Sequence, residues 1–173
     1  MRVVAGAFKG RRLQAPRGTR TRPTADRVRE ALFSVLGDVS GARVLDLYAG
    51  SGALGIEALS RGAASATFVE RDQRAAAMLR RNLESVGVDA EVRRQDALRF
   101  LASVTGPYDL VFLDPPYDSA FRVAGPLSER LPAVLTQEAR IVTESDKRAP
   151  LELALPLELE RLYGDTRIAI HRA

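Results

Sequence analysis

The sequence predicts an α/β domain on a doubly wound, mostly parallel sheet that closes with an antiparallel hairpin. Three observations lead there. From Arg43 onward, short apolar runs of strand length alternate with segments of helical period, the pattern that demands crossover connections and parallel pairing. Near the C-terminus the rhythm changes, because residues 157–163 and 166–171 are strand-like runs separated only by Gly164 and Asp165, a pair with hairpin chemistry. Finally, 173 residues with 46% hydrophobic content make one domain with a core of its own.

Each element has a local reason. Residues 3–18 hold Val3, Val4 and Ala5 and are punctuated by Gly6, Gly10 and Gly18. Thr24 behind Pro23 is placed to cap a helix in which Val28, Ala31, Leu32, Val35 and Leu36 form one apolar stripe, with Arg27 and Glu30 off it and Gly37 at its end. Residues 43–47 then read as a buried strand, 52–60 as a helix, 66–70 as a strand and 72–86 as a helix closed by Gly87. Residues 90–94, 109–113 and 139–143 are three further strands. No repeat, low-complexity tract or linker divides the chain after its basic N-terminal part, giving an arm over residues 1–23 and one domain over residues 24–173.

Composition removes several chemistries. With no Cys there is no thiol nucleophile, disulfide or thiolate metal site, and His171 alone supplies no His cluster or oriented Ser/His pair. No apolar run approaches the roughly 18 residues of a membrane span, and no signal-type stretch follows Met1, so a soluble cytoplasmic protein is expected. The net charge of +4 is unevenly placed. Residues 1–30 carry eight Arg and one Lys against Asp26 and Glu30, a net of +7, so the remainder nets −3. A basic arm of this kind suits an anionic partner, nucleic acid first.

Gly50-Ser-Gly-Ala-Leu-Gly55 is a G-x-G-x-x-G between a predicted strand and helix, where glycines let the backbone turn tightly and approach a ligand. Two cofactors fit. A dinucleotide places its pyrophosphate there and its ribose on an acid about 20 residues on; S-adenosylmethionine places its methionyl part there and its ribose on the same acid, and Glu70 has that spacing. Asp46 weighs against the dinucleotide, since a carboxylate at the strand end repels pyrophosphate and receives an ammonium. The chain also lacks room for a substrate domain and proton-handling residues of a dehydrogenase.

Asp46, Glu70, Asp96 and Asp114 each stand at or just past a strand end, the edge where open α/β sheets bind ligands. Taken alone, Asp96 or Asp72 is simply a helix cap. Asp114-Pro-Pro-Tyr117 suits an exocyclic amine on a planar base: Asp114 accepts one N–H, the Pro115 carbonyl the other, Pro116 stiffens the turn and Tyr117 stacks on the ring. In isolation, Pro-Pro is an ordinary strand-ending turn.

Asp46-Leu-Tyr-Ala-Gly-Ser-Gly52, Glu70 and Asp114-Pro-Pro-Tyr117 together resemble the class I S-adenosylmethionine-dependent methyltransferases that modify exocyclic amines. Arg2-Val-Val-Ala-Gly-Ala-Phe-Lys-Gly-Arg-Arg-Leu13 and Arg22-Pro-Thr-Ala-Asp-Arg-Val-Arg-Glu-Ala-Leu-Phe33 are similar to the RsmD-type bacterial 16S rRNA guanine-N2 methyltransferases. That resemblance implies a Rossmann-like fold with a seven-stranded sheet and helices on both faces. It implies methyl transfer from S-adenosylmethionine to the N2 of one guanine in a small-subunit ribosomal particle. By resemblance, Asp46, Gly50, Ser51 and Gly52 hold the methionyl end, Glu70 and Arg71 the ribose and neighbouring adenine edge, Asp96 and Ala97 the adenine, and Tyr48 belongs to the same cofactor site. Asp114, Pro115, Pro116 and Tyr117 hold the target guanine. The turn to Thr24 closes over the cofactor, and Arg11, Arg12, Arg22 and Arg27 face phosphates; a solvated side chain is the plainer reading of each arginine. A monomer is expected, contacting 16S rRNA and ribosomal proteins near the target and no membrane. The tetrapeptide alone equally allows a DNA adenine-N6 methyltransferase, which the absence of a spare DNA-recognition region disfavours.

Overall fold

The computed structural model describes residues 1–15, 23–116 and 119–173, with side chains described from Asp26 after the first gap. Seven strands form one sheet in the order β3-β2-β1-β4-β5-β7-β6. They are β1 (Arg43–Leu47), β2 (Ser65–Val69), β3 (Glu91–Arg93), β4 (Tyr108–Leu113), β5 (Leu135–Asp146), β6 (Leu157–Tyr163) and β7 (Thr166–Arg172). The first five pair in parallel, and β7 runs antiparallel between β5 and β6. Gly164, at φ 65°, turns the hairpin where the sequence placed it.

Helices cover both faces. Against one face lie α1 (Pro23–Leu36), α2 (Ala53–Ser60) and α3 (Gln73–Val86), whose Leu32, Phe33, Ile56, Leu79 and Leu83 pack on Val44, Phe68 and Phe112. On the other, α4 (Ala97–Leu101), α5 (Ala120–Arg130) and the following turn bury Phe100, Leu127 and Leu131 against Leu45, Val111 and Ile141. Ends follow local chemistry: Asp72 caps α3 by accepting from the Ala75 amide at 2.8 Å, and Gly87 closes it at φ 73°.

Three expectations are corrected. Val35, assigned to the buried stripe of α1, is exposed at 41%, and Phe33 fills the core instead, its ring centroid 5.8 Å from that of Phe112. Thr24 falls in the first turn of α1, which begins at Pro23, rather than ahead of the helix. The fifth strand is 12 residues long, not five, because pairing with β7 extends it to Asp146. Helix α5 went unread because Gly125 and Pro126 mimic a turn; burial of Ala120 and Leu127 sustains it through the proline.

The first 14 residues are built into this core. A turn brings Arg2 opposite Arg12, and Val3 and Leu13 are buried in the cluster under α1, α2 and α3. Buried Glu57 of α2 anchors the segment, accepting from the amides of Val4 at 2.8 Å and Ala5 at 3.0 Å while pairing with Arg29 and Arg61. Arg29 donates in turn to the Arg2 carbonyl and to Asp26.

Candidate active site

The parallel register carries β1, β2 and β4 to a common edge, and the acids named from the sequence meet there. Asp46 on β1 is buried, and its Oδ2 accepts from the Gly55 amide at 3.0 Å. Desolvation raises its pKa to about 7, against the lowering effect of that hydrogen bond and with the charge of Glu70 adding to the rise. Glu70 is held at both oxygens, one accepting from the Gly50 amide at 2.8 Å and the other from the Asp72 amide at 2.7 Å.

Part of the glycine loop is thus already engaged by the protein's own acceptors. Three of its amides are answered within the protein: Gly50 by Glu70, Gly52 by the Ala49 carbonyl at 2.7 Å, and Gly55 by Asp46. Two of the three acceptors are carboxylates, so the loop presents negative charge to a ligand. Glycine is required for packing as much as for access. A Cβ on Gly52, at φ 79°, would fall 2.2 Å from Leu79, and one on Gly55 would fall 2.3 Å from Phe68. At Gly50, φ 54°, nothing lies closer than 3.9 Å, which leaves open space above the loop. Ser51 is buried, and its carbonyl accepts from Nδ2 of Asn82 at 2.8 Å.

Tyr48 stands half-buried just past β1, the sole described non-glycine residue at positive φ, 64°. Burial and the charge of Asp96 push its hydroxyl pKa up to about 12, opposed by Arg71. Asp96 also does what a helix cap does, accepting from the amides of Leu98 at 3.0 Å and Arg99 at 3.1 Å. Ala97 behind it is buried.

Beyond β4, the Asp114 side chain keeps access to solvent while lying close enough to Glu144 and Asp46 for their charges to act on it. Desolvation there, with the charges of Glu144 and Asp46, drives its pKa well above the carboxylate range. The Pro116 carbonyl accepts from the Ser119 amide at 2.9 Å and hydroxyl at 2.7 Å, fixing the turn. The Pro115 carbonyl accepts from nothing among the described residues. Tyr117 and Arg22 lie outside the described residues.

Two residues escaped the sequence reading. Glu144 follows Thr143, which pairs with Leu113, so it stands level with Asp114 on the neighbouring strand; burial raises its pKa and Arg29 opposes the rise. An acid one place past the fifth predicted strand was the available signal. Asn82 is nearly inaccessible and ties three segments together: besides Ser51, it donates to the Gln14 carbonyl at 3.1 Å and accepts from the Gln14 amide at 2.8 Å. Nothing in the sequence marks it.

The proposed phosphate-facing arginines are less concentrated. Arg11 and Arg12 are exposed, with Arg11 donating to the Ser85 carbonyl of α3 at 2.9 Å, and Arg27 is exposed on α1. Among the described residues no group of His, Cys, Asp and Glu could hold a metal, and no helix is long and apolar enough to cross a membrane.

A seven-stranded sheet with β7 antiparallel, a glycine loop after β1 and an acid after β2 define the class I methyltransferase fold, whose methyl donor is S-adenosylmethionine. The chain belongs to the family described as conserved hypothetical protein 95, matched over residues 1–172. It is 39% identical to YlbH of Bacillus subtilis (strain 168), named for rRNA methylation, over 191 aligned positions covering 99% of this chain and 98% of that one. It is 45% identical over 119 residues to ribosomal RNA small subunit methyltransferase D of Escherichia coli (strain K12), covering 68% and 60%. The solved structure of yhhF from Escherichia coli, named as a methyltransferase, superposes with a TM-score of 0.85 at 36% identity, covering 99% of this chain and 97% of that one.

Proposed function

We propose that this protein transfers a methyl group from S-adenosylmethionine to the exocyclic N2 of one guanine in 16S rRNA, acting on a small-subunit ribosomal particle. The observation that carries the cofactor assignment is the answered glycine loop. With the amides of Gly50, Gly52 and Gly55 held by Glu70, Ala49 and Asp46, two of them carboxylates, the site disfavours a pyrophosphate and suits a ligand bearing ammonium and sulfonium charges.

Bound there, the cofactor supplies an electrophilic methyl group. Asp46 would receive the ammonium, directly or through water, and Glu70 keeps lone pairs for the ribose hydroxyls. Tyr48, Arg71, Asp96 and Ala97 line the adenine side, and Gly50, Ser51 and Gly52 the methionyl side. Asp114 accepts one N–H of the guanine amine and the Pro115 carbonyl the other, which aims the nitrogen lone pair at the methyl carbon. Tyr117 stacks on the base. As the N–C bond forms, the C–S bond would break with its electron pair staying on sulfur, and the amine nitrogen would shed a proton. Asp114, with a carboxyl of raised proton affinity, receives it.

Support for an rRNA substrate comes from the names of the two relatives and from the basic N-terminal segment, whose Arg11, Arg12, Arg22 and Arg27 are offered to phosphates. Selection of the guanine is assigned to RNA shape and the surrounding particle. Incubation with S-adenosylmethionine and unmodified small subunits should methylate the RNA. Tight binding of NADH and none of S-adenosylmethionine would overturn the assignment.

A further inference from the structure

Phe121 is 92% exposed, a large aromatic side chain left almost wholly in water. Its position is not casual. It lies in the first turn of α5, seven residues after Asp114, and the Ser119 contacts to the Pro116 carbonyl hold that turn at the carboxyl edge of the sheet beside the proposed base pocket. Ala120 and Leu127 fix which side of α5 faces the core, and Phe121 falls off it.

Among the described residues the other exposed large hydrophobics, Val35, Leu157 and Leu162, stand on α1 and β6, and none of them joins Phe121 in a patch. A protein partner covers a patch with an apolar centre. A lone ring flanked by a cation fits something else: the π-face of a base, with Arg122, exposed next in sequence, near its phosphate. A base presented to Asp114 must leave its stack, and its neighbours then need a new surface.

We propose that Phe121 is a stacking platform for a nucleobase flanking the methylated guanine. The inference rests on the RNA substrate proposed above. It adds a contact on the α5 side of the crevice, across the sheet from the basic N-terminal segment.

The test is steady-state methyl transfer to small ribosomal subunits isolated from cells lacking this enzyme, with S-adenosylmethionine affinity measured by calorimetry. Phe121→Ala should raise KM for the particles on the order of ten-fold, as loss of one base-aromatic stack does. Its S-adenosylmethionine affinity and melting temperature should match those of the unaltered protein. Phe121→Trp should restore KM and Phe121→Leu should not. An unchanged KM in Phe121→Ala overturns the proposal, and full activity in Phe121→Leu does so too by assigning the position to an apolar protein contact. Failure of the unaltered protein to methylate the particles sinks the functional reading itself, a result distinct from either.

Discussion

The buried carboxylate of Asp46 accepts the amide of Gly55 at 3.0 Å, bolting the end of β1 to the first turn of α2 and leaving an acid at the floor of the crevice with a pKa of about 7. Its folded value lies above the ordinary 3.8, so between about pH 4 and 7 the folded protein holds a proton that the unfolded chain releases. This contribution to stability is fully present below pH 4 and lost as the pH rises through 7. A cationic ligand needs the ionised form. Affinity for S-adenosylmethionine should therefore increase with pH up to about 7, by at most about ten-fold per pH unit for one proton, and Asp46→Asn should flatten the rise. Calorimetry at pH 6 and 8 checks this; pH-independent binding by the unaltered protein would contradict it.

Asp114→Ala should lower kcat by about 100-fold or more, the usual scale for removing a positioned proton acceptor. Binding of S-adenosylmethionine should hardly change, because the contact is to the base. Single-turnover kinetics alongside calorimetry separates the two. Equal turnover in the variant would remove Asp114 from the chemistry.

Glu144 and Asp114 stand level on neighbouring strands, and the charge of Glu144 raises the pKa of Asp114. Glu144→Gln removes that repulsion, so Asp114 should ionise at lower pH. The acidic limb of the pH profile of kcat should then move toward acid. A limb that stays in place would show that Asp114 does not govern it.

Glu57 holds the N-terminal segment and faces two arginines from a fully buried position. Replacing it with Ala strands Arg29 in the core and frees the amides of Val4 and Ala5. Denaturant unfolding should show a loss of about 3–5 kcal/mol, the scale for breaking a buried pair from one side. Glu57→Gln should recover part of it by keeping acceptors for the amides.

Much of this was legible in the chain. Strand and helix placement followed apolar period and glycine punctuation, and the residues at the strand ends proved to share one edge because parallel pairing carries every carboxyl end to the same side. Helix α5 was hidden because a Gly-Pro pair looks like a turn unless the burial of its flanks is known. The stripe of α1 was misjudged at Val35 because period alone does not say which of two adjacent faces meets the sheet. Asn82 was invisible for a different reason: its partners Gln14 and Ser51 are remote in sequence, and only the fold brings them to one side chain. The answered amides of the glycine loop were also beyond the motif, which gives the spacing of Gly50 and Glu70 but not the hydrogen bond between them.

The most direct measurement is transfer from tritiated S-adenosylmethionine to unmodified small ribosomal subunits, followed by nuclease digestion and chromatography of the labelled nucleoside. Label should appear as 2-methylguanosine at a single position of 16S rRNA. Label on adenine, label in DNA offered in competition, or no label in the particle would contradict the proposed function.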